Sequence, residues 1–220
     1  MDKSDFDELL TACGDLAALF PDGLVFIGGI AVYLHAIHTP SVLALAEFTH
    51  DADCYVSLAD MGDLRDIEEV TPNRRLSKHQ LIKRGFEFDL YTERQSRLIV
   101  PYDAIVAHAV VHEPFRVASL SHLLVLKLEA YRDRRQSAKG DKDAKDLFRI
   151  AAIAAARSRP FDARLAATYL RDDHLELLNE VHKSPVAIAM AEGNSPAAKR
   201  LRGNLGALRR AIEEAAREGA

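Results

Sequence analysis

The chain has 220 residues, 48% of them hydrophobic and 28% charged. That is the mix of an ordinary globular protein, in one large or two small domains, and it excludes a disordered or collagen-like chain. Lys and Arg total 29 against 33 Asp and Glu, a net charge of -4, which excludes a blanket polycation that coats nucleic acid while leaving room for a local basic patch.

Taken in chain order, Asp5 to Phe20 predicts an amphipathic helix, with Phe6, Leu9, Leu10, Leu16, Ala17 and Phe20 at three- and four-residue steps. Ser4 or Asp5 would cap it. Pro21-Asp22-Gly23 reads as a turn, Leu24 to Ile27 as a short strand ending in Gly28-Gly29, and Ile30 to Ile37 as a helix. Residues 38–50 read as irregular. Thr49 to Leu58 alternates as a strand, with Asp51, Asp53 and Tyr55 on one face and Ala52, Cys54 and Val56 on the other. Asp60 to Val70 predicts a helix, and Pro72 to Lys78 a loop. Gln80 to Tyr91 contains a second alternating strand, with Phe86, Phe88 and Leu90 opposite Glu87, Asp89 and Tyr91. Residues between Pro101 and Pro114 carry no clear pattern, and Phe115 to Ala118 suits a short strand. Helices follow at Leu120 to Arg134 and Asp141 to Arg157, across a polar break at Gln136 to Gly140. Pro160, Pro185 and Pro196 separate further helical pieces. The composition shift divides the chain into a mixed α/β part, residues 1–118, and a helical part, residues 119–220.

Four features carry chemistry. Asp51 and Asp53 point the same way from one strand with Cα atoms about 6–7 Å apart, so both can reach one divalent cation. Hard oxygen ligands suit Mg2+ held between carboxylates and phosphates; the competing reading is a solvated edge-strand face. Gly28-Gly29 at a strand-to-helix turn lets backbone approach a phosphate at a helix N-terminus, or is simply a tight turn. Asp89, with Glu87 on the same face, can join a metal site or act as general base, or be an exposed strand carboxylate. Lys127 falls inside the apolar stripe Leu120, Leu123, Leu124, Leu128 and Tyr131. It snorkels, pairs with Asp143 or Asp146, or reaches a phosphate.

The order of these features resembles the nucleotidyltransferase superfamily typified by DNA polymerase β. Within it, the chain is most similar to bacterial abortive-infection (AbiEii-type) nucleotidyltransferases, several of which are toxins of toxin–antitoxin pairs. The resemblance spans roughly residues 24–150. It rests on Gly28-Gly29, Thr49-His50-Asp51-Ala52-Asp53, Asp89, Lys127 with Arg132, and Lys142-Asp143 to Leu147. Glu47 and Phe48 stand where the family commonly has Arg, and the stretch from Gly29 to Asp51 is longer than usual.

The resemblance implies an α/β (α+β) nucleotidyltransferase core with a mixed sheet, followed by a C-terminal helical domain. It implies transfer of a nucleoside monophosphate from a nucleoside triphosphate, with Mg2+ or Mn2+ as cofactor. Asp51, Asp53 and Asp89 would bind metal, and Asp89 would activate the attacking hydroxyl. Gly28, Gly29, Thr49, Lys127 and Asp143 would serve nucleotide binding. Lys127 would offset charge on the leaving pyrophosphate. The acceptor is RNA, a protein or a small molecule, and an antitoxin protein is an implied partner. The alternatives are a catalytically silent nucleotide- or protein-binding member of the fold, and a helical partner-binding protein whose acidic strand face is accidental.

Other signals weigh less. Cys13 and Cys54, too few for a disulfide framework, predict a reduced, cytoplasmic protein and read as core. The acidic start, Asp2 to Glu8, predicts no secretory signal, and no apolar run approaches the ~20 residues of a membrane span. His108 and His112, four apart, have the spacing of a shared helix face but no acidic ligand at a recognised spacing. His35 and His38 read as cleft or surface residues. Lys199, Arg200, Arg202, Arg209, Arg210 and Arg217 read as the solvated face of an amphipathic helix, with RNA docking as the competing reading.

Overall fold

The structure, a computed structural model, describes residues 2–94, 97–158 and 161–218. It divides into two compact units, one of Met1–His35 with Glu47–Ser119 and one of Ala36–Ala46 with Leu120–Ala220.

The first unit opens with α1 (Lys3–Leu19), which buries Phe6, Leu9, Ala12, Cys13, Leu16 and Ala17. Its cap is Asp2, whose carboxylate accepts from the Asp5 N–H at 2.9 Å, two or three residues before the expected caps Ser4 or Asp5. The strand β1 (Leu24–Ile27) runs straight into the helix α2 (Gly28–Ile37), with no loop between them. A 3-10 helix, Pro40–Leu45, follows in the segment expected to be irregular and belongs to the second unit. Next come β2 (Asp51–Val56) and α3 (Leu58–Ile67). Ser57 caps α3 by accepting from the Asp60 N–H at 3.0 Å, so this helix starts and stops two to three residues before the expected Asp60 to Val70.

Two strands were not expected where they stand. β3 (Val70–Asn73) and β4 (Lys78–Lys83) form a hairpin whose turn occupies most of the predicted Pro72 to Lys78 loop. β3 is an edge strand, where Pro72 sacrifices no needed donor. The single strand expected within Gln80 to Tyr91 is instead part of β4 and all of β5 (Phe86–Tyr91). Arg84 and Gly85 join them with φ of 53° and 83°, the two positive φ values that suit a two-residue hairpin turn. The unit ends with α4 (Tyr102–Ala107), β6 (Val110–His112) and β7 (Phe115–Val117).

These strands make one seven-stranded mixed sheet in the order β3-β4-β5-β2-β1-β7-β6. β2 pairs parallel with β5 and antiparallel with β1, and β1 pairs parallel with β7. β2 therefore sits centrally. Ala52, Cys54, Phe88 and Leu90 are fully buried, which fixes the register by burying one face of each strand.

The second unit is helical. α5 (Leu120–Arg134) has the expected bounds. α6 (Ala138–Ala156) begins three residues before the expected Asp141. Ser137 caps it at the Gly140 N–H, 3.3 Å away, and Gly140 lies within the helix, kept to glycine because a Cβ there would meet the Arg134 carbonyl oxygen at 2.4 Å. α7 (Ala163–Ala167), α8 (His174–Lys183), α9 (Val186–Met190) and α10 (Ser195–Glu218) complete the unit. Pro160 lies outside the described residues. α10 packs on α6, α7, α8 and α9 through the stripe Ala198, Leu201, Leu205, Leu208 and Ile212. No helix among the described residues is long and apolar enough to cross a membrane.

Candidate active site

β2 and β5 run parallel, and their register pairs Asp53 with Asp89 and Asp51 with Glu87. Paired residues on neighbouring strands project to the same face, so four carboxylates share one side of the sheet centre. Ala52 and Cys54 point the other way and are fully buried. On the opposite flank, Ile27 of β1 pairs with Asp53, which sets Gly28 directly beside it. Gly28 has φ of +65°, and a Cβ there would lie 2.1 Å from Asp53 Oδ2. Glycine is thus needed for both its backbone conformation and the space it leaves. Gly29 follows in the first turn of α2.

The carboxylates are held differently. Thr49 is buried and its hydroxyl donates to Asp51 Oδ1 at 2.8 Å. Asp89 is 8% exposed, and Lys78 of β4 forms an ion pair with its Oδ2. Its other oxygen, Oδ1, is buried with no hydrogen-bond partner. Burial raises the Asp89 carboxyl above its ordinary pKa, with the Lys78 hydrogen bond and charge opposing that shift. Glu87 is exposed and accepts from Gln80. Of the two acids on that strand face, Asp89 is therefore the one beside Asp53.

Among the described residues, no three His, Cys, Asp or Glu side chains converge closely enough to hold a metal by themselves. The donor set still fits Mg2+ or Mn2+, because Mg2+ is commonly held by one or two carboxylates plus substrate phosphates rather than by an all-protein cage. The orphaned Asp89 Oδ1 and the backbone cradle at Gly28 are further features that such an arrangement would occupy.

Lys127 and Asp143 lie in the helical unit, and the structure brings them together with Asp146. Lys127 is 6% exposed, with Nζ 3.3 Å from Asp143 Oδ1 and 2.6 Å from Asp146 Oδ2. Arg134 donates to both Asp143 oxygens, at 2.6 and 3.0 Å, and Arg149 to Asp146 Oδ1 at 2.7 Å. The result is a cluster in which Lys127, Arg149, Asp143 and Asp146 are buried and Arg134 reaches Asp143 from the surface. Burial raises the Asp146 carboxyl and lowers the Arg149 guanidinium to about 10.

The weaker signals separate cleanly. His108 and His112 share no helix face, because α4 ends at Ala107 and His112 lies on β6. His112 Nε2 instead sits 3.0 Å from Nδ1 of the buried His35, whose Nε2 lies 2.8 Å from the Ala118 carbonyl. Cys13 and Cys54 are buried, and burial raises both thiols well above the range of a reactive thiolate. On α10, Arg209 pairs with Glu213 and Arg202 donates to the Ser184 carbonyl at 3.1 Å. Lys78 was missed at the sequence level, since reading 72–78 as a loop removed the strand register that sets it near Asp89. Arg134 and Arg149 were missed too. Arg149 sits three residues from Asp146, and that one-turn spacing was the available signal.

The α/β unit with its mixed sheet and the helices that follow it together have a nucleotidyltransferase-like fold. That likeness rests on solved structures. A Helicobacter pylori protein described as a candidate nucleotidyltransferase superposes with a TM-score of 0.50 at 13% identity, over 100% of this chain and 99% of that one. JHP933 from Helicobacter pylori gives 0.51 at 15% identity, over 100% and 96%. An antigenic nucleotidyltransferase-like protein from Paracoccidioides brasiliensis gives 0.51 at 12% identity, over 90% and 94%. Identities this low establish a shared fold and nothing finer. No protein-family model and no curated protein matches the chain.

Proposed function

We propose that the chain is a metal-dependent nucleotidyltransferase that moves a nucleoside monophosphate from a nucleoside triphosphate to an acceptor hydroxyl or amine. The observation that carries this is the pairing of Asp53 with Asp89 on parallel strands, with Asp51 two residues away and the Gly28 backbone against the Asp53 carboxylate.

Asp51 and Asp53 hold the cation, with Thr49 fixing the Asp51 carboxylate. Bound there, Mg2+ or Mn2+ neutralises phosphate charge and polarises the α-phosphorus. Gly28 and Gly29 leave backbone open to the β- and γ-phosphates at the start of α2. Lys78 engages Asp89 Oδ2 and leaves Oδ1 to accept the acceptor's proton. The acceptor oxygen or nitrogen bonds to the α-phosphorus, the α–β phosphoanhydride bond breaks, and pyrophosphate leaves. For Lys127, the role of offsetting charge on pyrophosphate is a separate proposal. A cytoplasmic toxin role with a cognate antitoxin belongs to the same family-based reading. It predicts growth arrest on expression that Asp53→Ala relieves.

The test is incubation with each α-labelled nucleoside triphosphate, Mg2+, total RNA and lysate, beside an Asp51→Ala/Asp53→Ala double variant. Label on an acceptor with the native chain alone is the expected result. A second reading, a catalytically silent nucleotide binder, is favoured by the Lys78 ion pair that neutralises Asp89. It predicts Mg2+-dependent thermal stabilisation by nucleoside triphosphates with no label transferred in any lysate.

A further inference from the structure

The chain is acidic overall, yet one open cavity of about 660 Å3 in the first unit is lined by Arg65, Arg74, Lys78, His79, Arg94 and Arg97, with no acidic side chain in its wall. These come from α3, from β4 and the turn before it, and from the segment after β5. The cavity lies at the β3–β4 hairpin end of the sheet. Concentrating five permanent cations in one cavity raises its potential far above the acidic average of the surface. Among the described residues, Arg65, Arg74, Arg94 and Arg97 form no ion pair with a carboxylate.

His79 supplies a second, independent observation. It is 1% exposed, and Arg65 Nη2 lies 2.6 Å from its Nε2. Arginine only donates, so Nε2 accepts and the ring is neutral with its proton on Nδ1. Burial and the Arg65 charge both disfavour a second proton. That Nδ1 donor is buried and has no partner. Leaving such a donor unpaired carries a desolvation cost, and it belongs to a wall that is otherwise cationic or uncharged, with Pro72, Asn73 and Ser77 beside the cations.

Lys78 belongs both to this wall and to the ion pair with Asp89. The cavity therefore adjoins the carboxylate proposed to take the acceptor's proton. We propose that it binds backbone phosphates of the acceptor, a single-stranded segment of RNA. Several cations lining one cavity suit a chain of phosphodiesters, whereas a polycationic small molecule would be repelled. The acceptor role rests on the nucleotidyl-transfer reading; phosphate binding by the cavity does not.

The experiment measures binding of a short fluorescent single-stranded RNA to the full chain, without nucleotide, over a range of salt. The native chain is compared with Arg74→Glu/Arg97→Glu and with Arg74→Lys/Arg97→Lys. Both arginine sites are exposed, and a thermal melt checks that each variant is folded. The native chain is expected to bind with affinity that falls as salt rises. The Glu double variant is expected to bind at least about tenfold more weakly. Its log K against log salt slope should be shallower by about 1.4, at ~0.7 per lost single-strand phosphate contact. The Lys variant should bind nearly as the native chain does. Unchanged RNA binding by the folded Glu variant overturns the proposal. So does loss of inorganic pyrophosphate binding in that variant while RNA binding persists, which would mark a small-phosphate site. Equal competition by poly-glutamate would reassign the cavity to an acidic protein. RNA binding at the cavity with no labelled transfer would sink the transferase reading and leave the cavity assignment standing.

Discussion

Gly28 and Asp53 act as one device. The φ of +65° and the 2.1 Å that a Cβ would leave to Asp53 Oδ2 make Gly28→Ala a test of both strain and position. We expect a stability loss of about 1–2 kcal/mol from the left-handed backbone alone, read by urea unfolding, together with loss of transferase activity as the carboxylate is displaced. Full activity in that variant would separate Asp53 from the chemistry. A second residue-scale test lies in the helical unit. Lys127→Met leaves Asp146 buried without the Lys127 charge, with Arg149 still paired to its other oxygen, a loss of about 3–5 kcal/mol at neutral pH. Burial already raises the Asp146 pKa, and Lys127 is the main force lowering it. Removing Lys127 raises it further. The folded state then binds more protons than the unfolded state between the unfolded and the folded pKa, so the variant regains stability as pH falls through that window. Urea unfolding of both proteins at pH 5 and pH 7.5 should show the gap narrowing at the lower pH; an equal gap would contradict the pairing.

At the scale of elements, what could be read in advance depended on whether burial or partnership shaped the pattern. β1, the alternation of Asp51 and Asp53, and α5 were legible because apolar burial writes period two or 3.6 into the chain. The hairpin of β3 and β4 was not. Both strands are short, β3 lies at the sheet edge and exposes Thr71 and Pro72, and β4 buries only His79 and Leu81, so no run of apolar residues marks them. The start of α6 was hidden by Gly140, a residue that reads as a break and is in fact kept small by the Arg134 carbonyl. The carboxylates of the site were visible from spacing. Lys78 was not, because only the register of β4 on β5 brings it to Asp89. The β4–β5 turn gives this scale its prediction. A Cβ at Gly85 meets nothing within 4 Å, but its φ is +83°. Gly85→Ala should therefore lower stability by about 1–2 kcal/mol through backbone strain alone, measured by urea unfolding. No change would mean the turn readily adopts another form.

At the scale of the molecule, the second unit takes residues Ala36–Ala46 as well as those from Leu120 onward. Arg149 Nε donates to the Leu45 carbonyl at 2.8 Å, tying that early segment to α6. A fragment of residues 120–220 lacks this segment. It should be digested by protease faster than the same region of the full chain, and equal resistance would show that the segment adds nothing to the unit. The central claim concerns the first unit: its carboxylates and glycine turn hold a divalent cation together with a nucleotide. The most direct measurement is titration of a non-hydrolysable nucleoside triphosphate into the native chain and into Asp51→Asn/Asp53→Asn, each with Mg2+ and with chelator. The account predicts binding by the native chain that requires Mg2+ and is lost in the folded double variant. Nucleotide binding that is equally strong with chelator and survives the double substitution would contradict it.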